Sequence, residues 1–263
     1  MNTPVAWRRH PAALTVLLLG ALAVIATIVA LVQSSTEARA AVAPTSETQV
    51  EQGRALYLEG CSSCHGLDAE GTSVAPSLIG AGAASVHFQV ATGRMPLAAP
   101  VVQAERKAPS YSADEIAALA AYIATLGPGP AIPTAEQLDT SSADLARGGE
   151  LFRTNCAQCH NFAGSGAALT EGKAAPSLMD ATPQEVYEAM LTGPQNMPVF
   201  GDGTLTQSDK QDILKYVAHL QEQTQPGGFA LGSFGPVTEG MFLFTLGLGL
   251  MVAAAIWIGA KVR

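Results

Sequence analysis

The chain has 263 residues, 48% of them hydrophobic and only 14% charged, which is room for about two small domains with part of the length in lipid rather than water. Its formal net charge of −8 argues against nucleic-acid binding, which needs a cationic footprint for the phosphates.

The first element is an uncharged apolar run at residues 12–32, led in by Trp7, Arg8, Arg9 and His10. Its 21 residues are long enough to cross a hydrocarbon core as a helix. Small-residue sites at Ala38-Arg39-Ala40 and Ala41-Val42-Ala43 follow it, as they follow cleaved secretory signals. Residues 1–45 therefore read as a membrane anchor or a signal segment, plus linker. On either reading the middle of the chain is exported.

A duplicated unit comes next. "GRALYLEGCSSCHG" (53–66) matches "GGELFRTNCAQCHN" (148–161), and "APSL" occurs at 75–78 and again at 175–178. "VHFQVATG" (86–93) matches "VYEAMLTG" (186–193), "RMP" (94–96) matches "NMP" (196–198), and "IAALAAYIATL" (116–126) matches "QDILKYVAHL" (211–220). A period near 95 is too long for a solenoid and means two tandem copies of one small domain, at 46–128 and 141–224. In each copy a short helix leads into a Cys-x-x-Cys-His motif, Gly- and Pro-rich loops follow, and a helix closes the unit. Ser112 and Thr206, each followed by acidic residues, mark the starts of the closing helices. Tyr57 and Phe152, four residues before the first cysteine of each copy, are expected to pack on Tyr122 and Tyr216 of those helices.

The copies differ in one place. About eight extra residues lie between Met95 and the closing helix of the first copy, either a docking loop or neutral surface. Residues 129–140 and 225–236 are Pro- and Gly-bearing linkers. The final segment, 237–263, holds a second uncharged apolar run at 241–260 closed by Lys261 and Arg263, long enough to span a bilayer. Basic flanks at both chain ends place the termini in the cytoplasm and the domains outside. Without Arg8, Arg9, Lys261 and Arg263, the rest of the chain has 10 basic against 22 acidic residues, a surface suited to a basic partner or simply to water.

All four cysteines fall in the two motifs, Cys61-Ser62-Ser63-Cys64-His65 and Cys156-Ala157-Gln158-Cys159-His160. Zinc would need a fourth ligand that neither copy offers nearby, and a redox Cys pair has no use for the histidine. Covalent attachment of haem c uses every residue. The thiols of Cys61 and Cys64, or of Cys156 and Cys159, add to the vinyl groups, and His65 or His160 ligates the iron. Two copies imply two haems, whose apolar faces would also supplement cores too small to be stable alone. For the other axial position, Met95 and Met197 are the candidates: each precedes a proline, and they pair with one another in the repeat. Met179 and Met190 pair with Ile79 and Val90, the behaviour of core filler. His87 and His219 have no histidine counterpart and read as ordinary surface or packing residues. Histidine–methionine ligation closes the iron to oxygen and peroxide and marks an electron carrier.

With those motifs in place, each copy resembles a class I cytochrome c domain, over about residues 48–127 and 143–223. The fold class is then all-α: two tandem domains of that kind, a C-terminal transmembrane helix, and the N-terminal anchor or signal. The whole layout is similar to the dihaem cytochrome cc subunit of actinobacterial menaquinol–cytochrome c reductases. That resemblance implies an electron-transfer subunit with no substrate chemistry of its own. It also implies cytochrome b and the Rieske iron–sulfur protein as partners, a haem-copper oxidase as acceptor, a dimeric complex and a plasma-membrane location. Other arrangements use the same domains: the cytochrome subunit of an exported dehydrogenase, a cbb-type oxidase subunit, or a dihaem peroxidase. The last needs an open haem, against the paired methionines. The cbb-type subunit is expected to end in its haem domains, whereas this chain ends in an apolar segment.

Overall fold

A computed structural model describes residues 19–25, 27, 47–222 and 236–261. The chain divides into two units, Met1–Ser46 and Glu47–Arg263. In the first unit the described residues are helical and exposed. The rest of the expected N-terminal span, and the sites at 38–43, lie outside the described residues.

The first copy is built on an opening helix, Glu47–Gly60, that crosses a closing helix, Ala113–Thr125, with a middle helix, Gly82–Ala91, packed on the same closing helix. Apolar residues three and four apart give the closing helix one buried face: Ile116, Leu119, Ala120 and Ile123. Leu119 and Ile123 are almost fully buried, worth about 1.5–3 kcal/mol each. Ser112 starts this helix with a reciprocal cap, its backbone N–H reaching Glu115 Oε2 at 2.8 Å while its Oγ accepts from the Glu115 N–H at 3.4 Å. The crossing is possible because residue 53 is glycine: a Cβ there would run into the carbonyl oxygen of Ala118.

The second copy repeats the scheme with Leu145–Asn155, Pro183–Thr192 and Gln207–Glu222. Gly148 now meets the carbonyl oxygen of Asp212, and Thr206 exchanges bonds with Asp209 at 3.0 and 3.2 Å. The expected aromatic pairs form in both copies: Tyr57 and Tyr122 have ring centroids 5.4 Å apart, Phe152 and Tyr216 5.3 Å. A two-residue antiparallel bridge, Ala167–Ala168 with Ala174–Ala175, is the sheet found among the described residues.

The stretch between the copies packs on both. Ala84 N–H donates to Pro130 O at 3.0 Å, while a capped turn, Ala135–Leu138, receives Gln211 Nε2 on Glu136 O at 2.8 Å. The middle helices of the two copies also touch. His87 Nδ1 sits 2.8 Å from the Glu188 carboxylate, which is wholly buried. The extra residues of the first copy dock on the second. The Gln103 side-chain amide exchanges two 2.7 Å bonds with the backbone of Ala174, as a neighbouring strand would, and Arg106 grips Glu185 through two bonds of 2.9 and 3.0 Å. The insertion is thus a docking loop, with its dock on the same chain, and His87 belongs to the contact between the copies.

The last described helix is Pro236–Lys261. Its 26 residues span about 39 Å, more than the roughly 30 Å of a hydrocarbon core. The stretch Val237–Lys261 has a mean hydropathy of 2.3, and Lys261 Nζ lies 4.7 Å from the centre of the Trp257 ring, an aromatic–cation pair suited to the edge of a bilayer.

Candidate functional site

In both copies the opening helix breaks one residue before the second motif turn and restarts as a single turn, Ser62–His65 or Ala157–His160. His65 N–H donates to Cys61 O at 3.0 Å and His160 N–H to Cys156 O at 2.8 Å, so two thiols and an imidazole project from one turn. The histidine rings are buried, at 8% and 9% exposure.

Each ring is aimed by the same device. His65 Nδ1 lies 2.8 Å from Pro76 O, and His160 Nδ1 lies 2.9 Å from Pro176 O. A carbonyl only accepts, so Nδ1 carries a proton, and in the neutral ring that leaves the lone pair on Nε2, the tautomer a metal ligand needs. The duplicated "APSL" supplies these carbonyls, a role the repeat marked without explaining. The loop returns through Gly71 and Gly166, with φ of +86° and +80°, whose N–H groups bond His65 O at 2.7 Å and His160 O at 2.9 Å. Burial pushes the pKa of His160 down, with the Pro176 bond opposing it, so the ring is neutral near pH 7.

The cysteines are not a thiolate pair. Burial, with Cys159 nearby, pushes the Cys156 thiol up to about 12, and burial with Cys64 raises Cys61 likewise. Among the described residues no group of three or more His, Cys, Asp or Glu side chains is placed to hold a metal ion. Tyr57 donates its hydroxyl to Gly66 O at 2.6 Å beside the first motif. Burial, and the neighbouring Cys61, push that hydroxyl up to about 12.

In the second copy Cys156, Cys159, His160 and Met197 wall one open cavity, of about 1220 Å³ when its mouth is included. Val186, Met190, Ile213 and Val217 make the rest of its wall largely apolar. In the first copy Cys61 and Met95 pack against one core cluster, with Tyr57, Val90 and Leu119. The loops that carry the methionines leave the middle helices through Gly93 and Gly193, with φ of +66° and +57°. In the first, a Cβ would collide with the carbonyl of Lys107. Two thiols, a neutral imidazole with a free Nε2 and a thioether in an apolar cavity fit covalent haem c. What sequence alone did not reveal is that the second cavity also has walls from the first copy: Phe88, Arg94, Gln103 and Arg106.

Residues 50–127 match the family model "Cytochrome c", and residues 143–217 match "Cytochrome C oxidase, cbb3-type, subunit III". A Corynebacterium efficiens protein named cytochrome bc1 complex cytochrome c subunit is 44% identical over 227 residues, covering 81% of this chain and 77% of the relative. The Mycobacterium leprae protein of the same name is 46% identical over 224 residues, covering 82% and 77%. A cbb3-type cytochrome c oxidase subunit FixP from Sinorhizobium medicae is 36% identical over 99 residues, 31% of this chain.

Proposed function

The chain belongs to the family of cytochrome bc1 complex cytochrome c subunits, and on that premise we propose that it is a dihaem relay. It takes electrons from the Rieske protein of a quinol–cytochrome c reductase and passes them to a haem-copper terminal oxidase. Cys61 and Cys64 would hold one haem c and Cys156 and Cys159 the other, with His65 and Met95, and His160 and Met197, as the residues that would ligate the irons. Bound haem supplies one-electron iron chemistry.

The chain's own residues do the rest. Pro76 and Pro176 fix the imidazoles, so that Nε2 would be presented to an iron in a set orientation. Thioether ligation by Met95 and Met197 would fill the iron position that oxygen or peroxide chemistry needs open, which suits transfer of electrons. The Pro236–Lys261 helix anchors the domains, with the basic C-terminus in the cytoplasm and the domains on the outer face of the plasma membrane. Cytochrome b, the Rieske subunit and membrane lipid are the neighbours, in a dimeric complex.

The observation that carries this reading is the duplication of one site: a buried, carbonyl-oriented histidine behind two cysteines, in both copies. Two measurements test it. A haem assay on the purified chain should return two haems per polypeptide. Purification in mild detergent, with partners identified by mass spectrometry, should bring cytochrome b, a Rieske protein and haem-copper oxidase subunits. Recovery of a dehydrogenase in their place would overturn the relay while leaving the haem sites standing.

A further inference from the structure

We propose that Arg94 of the first copy forms an anion site in the second copy's cavity and takes a carboxylate of the haem held there by Cys156 and Cys159. This rests on the haem reading above.

Arg94 is 8% exposed, and its Nη1 is buried with no hydrogen-bond partner among the described residues. A buried guanidinium left with an unmade bond is costly, and native structures rarely keep one without a ligand or ordered water. The side chain lines the same cavity as Cys156, Cys159, His160 and Met197. Its guanidinium carbon lies 4.9 Å from the centre of the Phe88 ring, a contact that supports the flat group and leaves its N–H edge for an acceptor.

The surrounding charges favour an anion. Arg106 and Lys173 also line the cavity, with Glu185 the carboxylate among its walls. That carboxylate is engaged by Arg106 through both oxygens. Lys173 Nζ is shared between Glu171 Oε2 at 3.4 Å and Asn196 Oδ1 at 3.2 Å. Arg94 is therefore the cation of the cavity without a counter-charge in contact. A haem brings carboxylates on flexible arms, and planar two-bond recognition of a carboxylate is what a guanidinium does best. Because Arg94 sits on the first copy, the cofactor of one copy would be gripped by the other, on top of the Gln103 and Arg106 contacts.

The test uses full-length protein in detergent, as wild type, Arg94→Gln and Arg94→Lys, with redox potentials assigned to sites by Met95→Leu and Met197→Leu. Loss of a positive charge near the iron favours the oxidised state. Arg94→Gln should keep both haems attached and shift the second haem's redox equilibrium about tenfold toward oxidation, about 59 mV for a one-electron couple. Arg94→Lys should stay within about threefold of wild type. The first haem's methionine–iron charge-transfer band should persist, and its potential, which Arg94 borders through Met95, should move less than the second haem's. A shift confined to the first haem, or to neither, overturns the proposal. So does a wild-type second-haem potential that follows added phosphate, because the site would then hold a free anion. Fewer than two haems in the wild type would instead sink the reading it rests on.

Discussion

Glu188 offers the sharpest test of how the two copies are joined. Its side chain is 0% exposed, and its carboxylate is held by His87 Nδ1 from the other copy at 2.8 Å and by Gln184 Nε2 from its own helix at 3.0 Å. His87→Ala removes the cross-copy partner and leaves a buried carboxylate with one neutral donor. Leaving a buried polar group without one of its hydrogen-bond partners costs about 1–3 kcal/mol. His87 is 25% exposed, so water reaches that side, and about 2 kcal/mol is the better figure. For a copy of about 80 residues that is a fall in Tm of about 8–16 °C in the transition of the second copy. The assay is calorimetry of the full chain in detergent, for His87→Ala, Glu188→Leu and the double variant. Removing both partners should restore at least half of the loss, because the penalty lies in the buried acceptor left unsatisfied and not in the missing bond. A single-variant cost under about 0.5 kcal/mol, or a double variant worse than either single, would refute the reasoning.

Met95→Leu and Met197→Leu should each leave haem attached, lower the potential of that haem by a tenfold or larger change in redox equilibrium, about 59 mV, and slow electron flow; unchanged potentials in both would remove the ligand assignment. Cys61→Ala should impair covalent attachment at the first site alone, read by haem staining and mass. Gly148→Ala drives a Cβ into the backbone of Asp212, so the helices must part, at about 3 kcal/mol. Gly201→Ala, with nothing within 4 Å, should cost under about 0.5 kcal/mol in the same denaturation experiment. Ser112→Ala should cost about 1 kcal/mol at neutral pH. The backbone and hydroxyl bonds of Ser112 hold Glu115 below its ordinary range, so this stabilisation is present above the unfolded pKa and lost as pH falls through the lower folded value. The gap between wild type and variant should therefore narrow in acid.

The parts legible in the sequence are those that depend on spacing along the chain. Cys-x-x-Cys-His places three side chains on one helical turn whatever surrounds it, and Ser112 with Glu115 closes a cap within four residues. The buried faces of the closing helices, the tyrosine pairs and the apolar C-terminal helix follow from periodicity and from the match between copies. Tertiary structure alone decided the contacts between residues far apart. Gly53 and Gly148 are required only because particular carbonyls cross them, and Pro76 and Pro176 matter for where their oxygens point. Comparing the copies was also blind to what differs between them. His87 and Arg94 align with Tyr187 and Asn196, residues of different chemistry, and Gln103 and Arg106 lie in the insertion, so the repeat gave them no weight. Two similar bodies dock through complementary groups, cation to carboxylate and donor to acceptor, and complementarity of that kind resides in the residues they do not share.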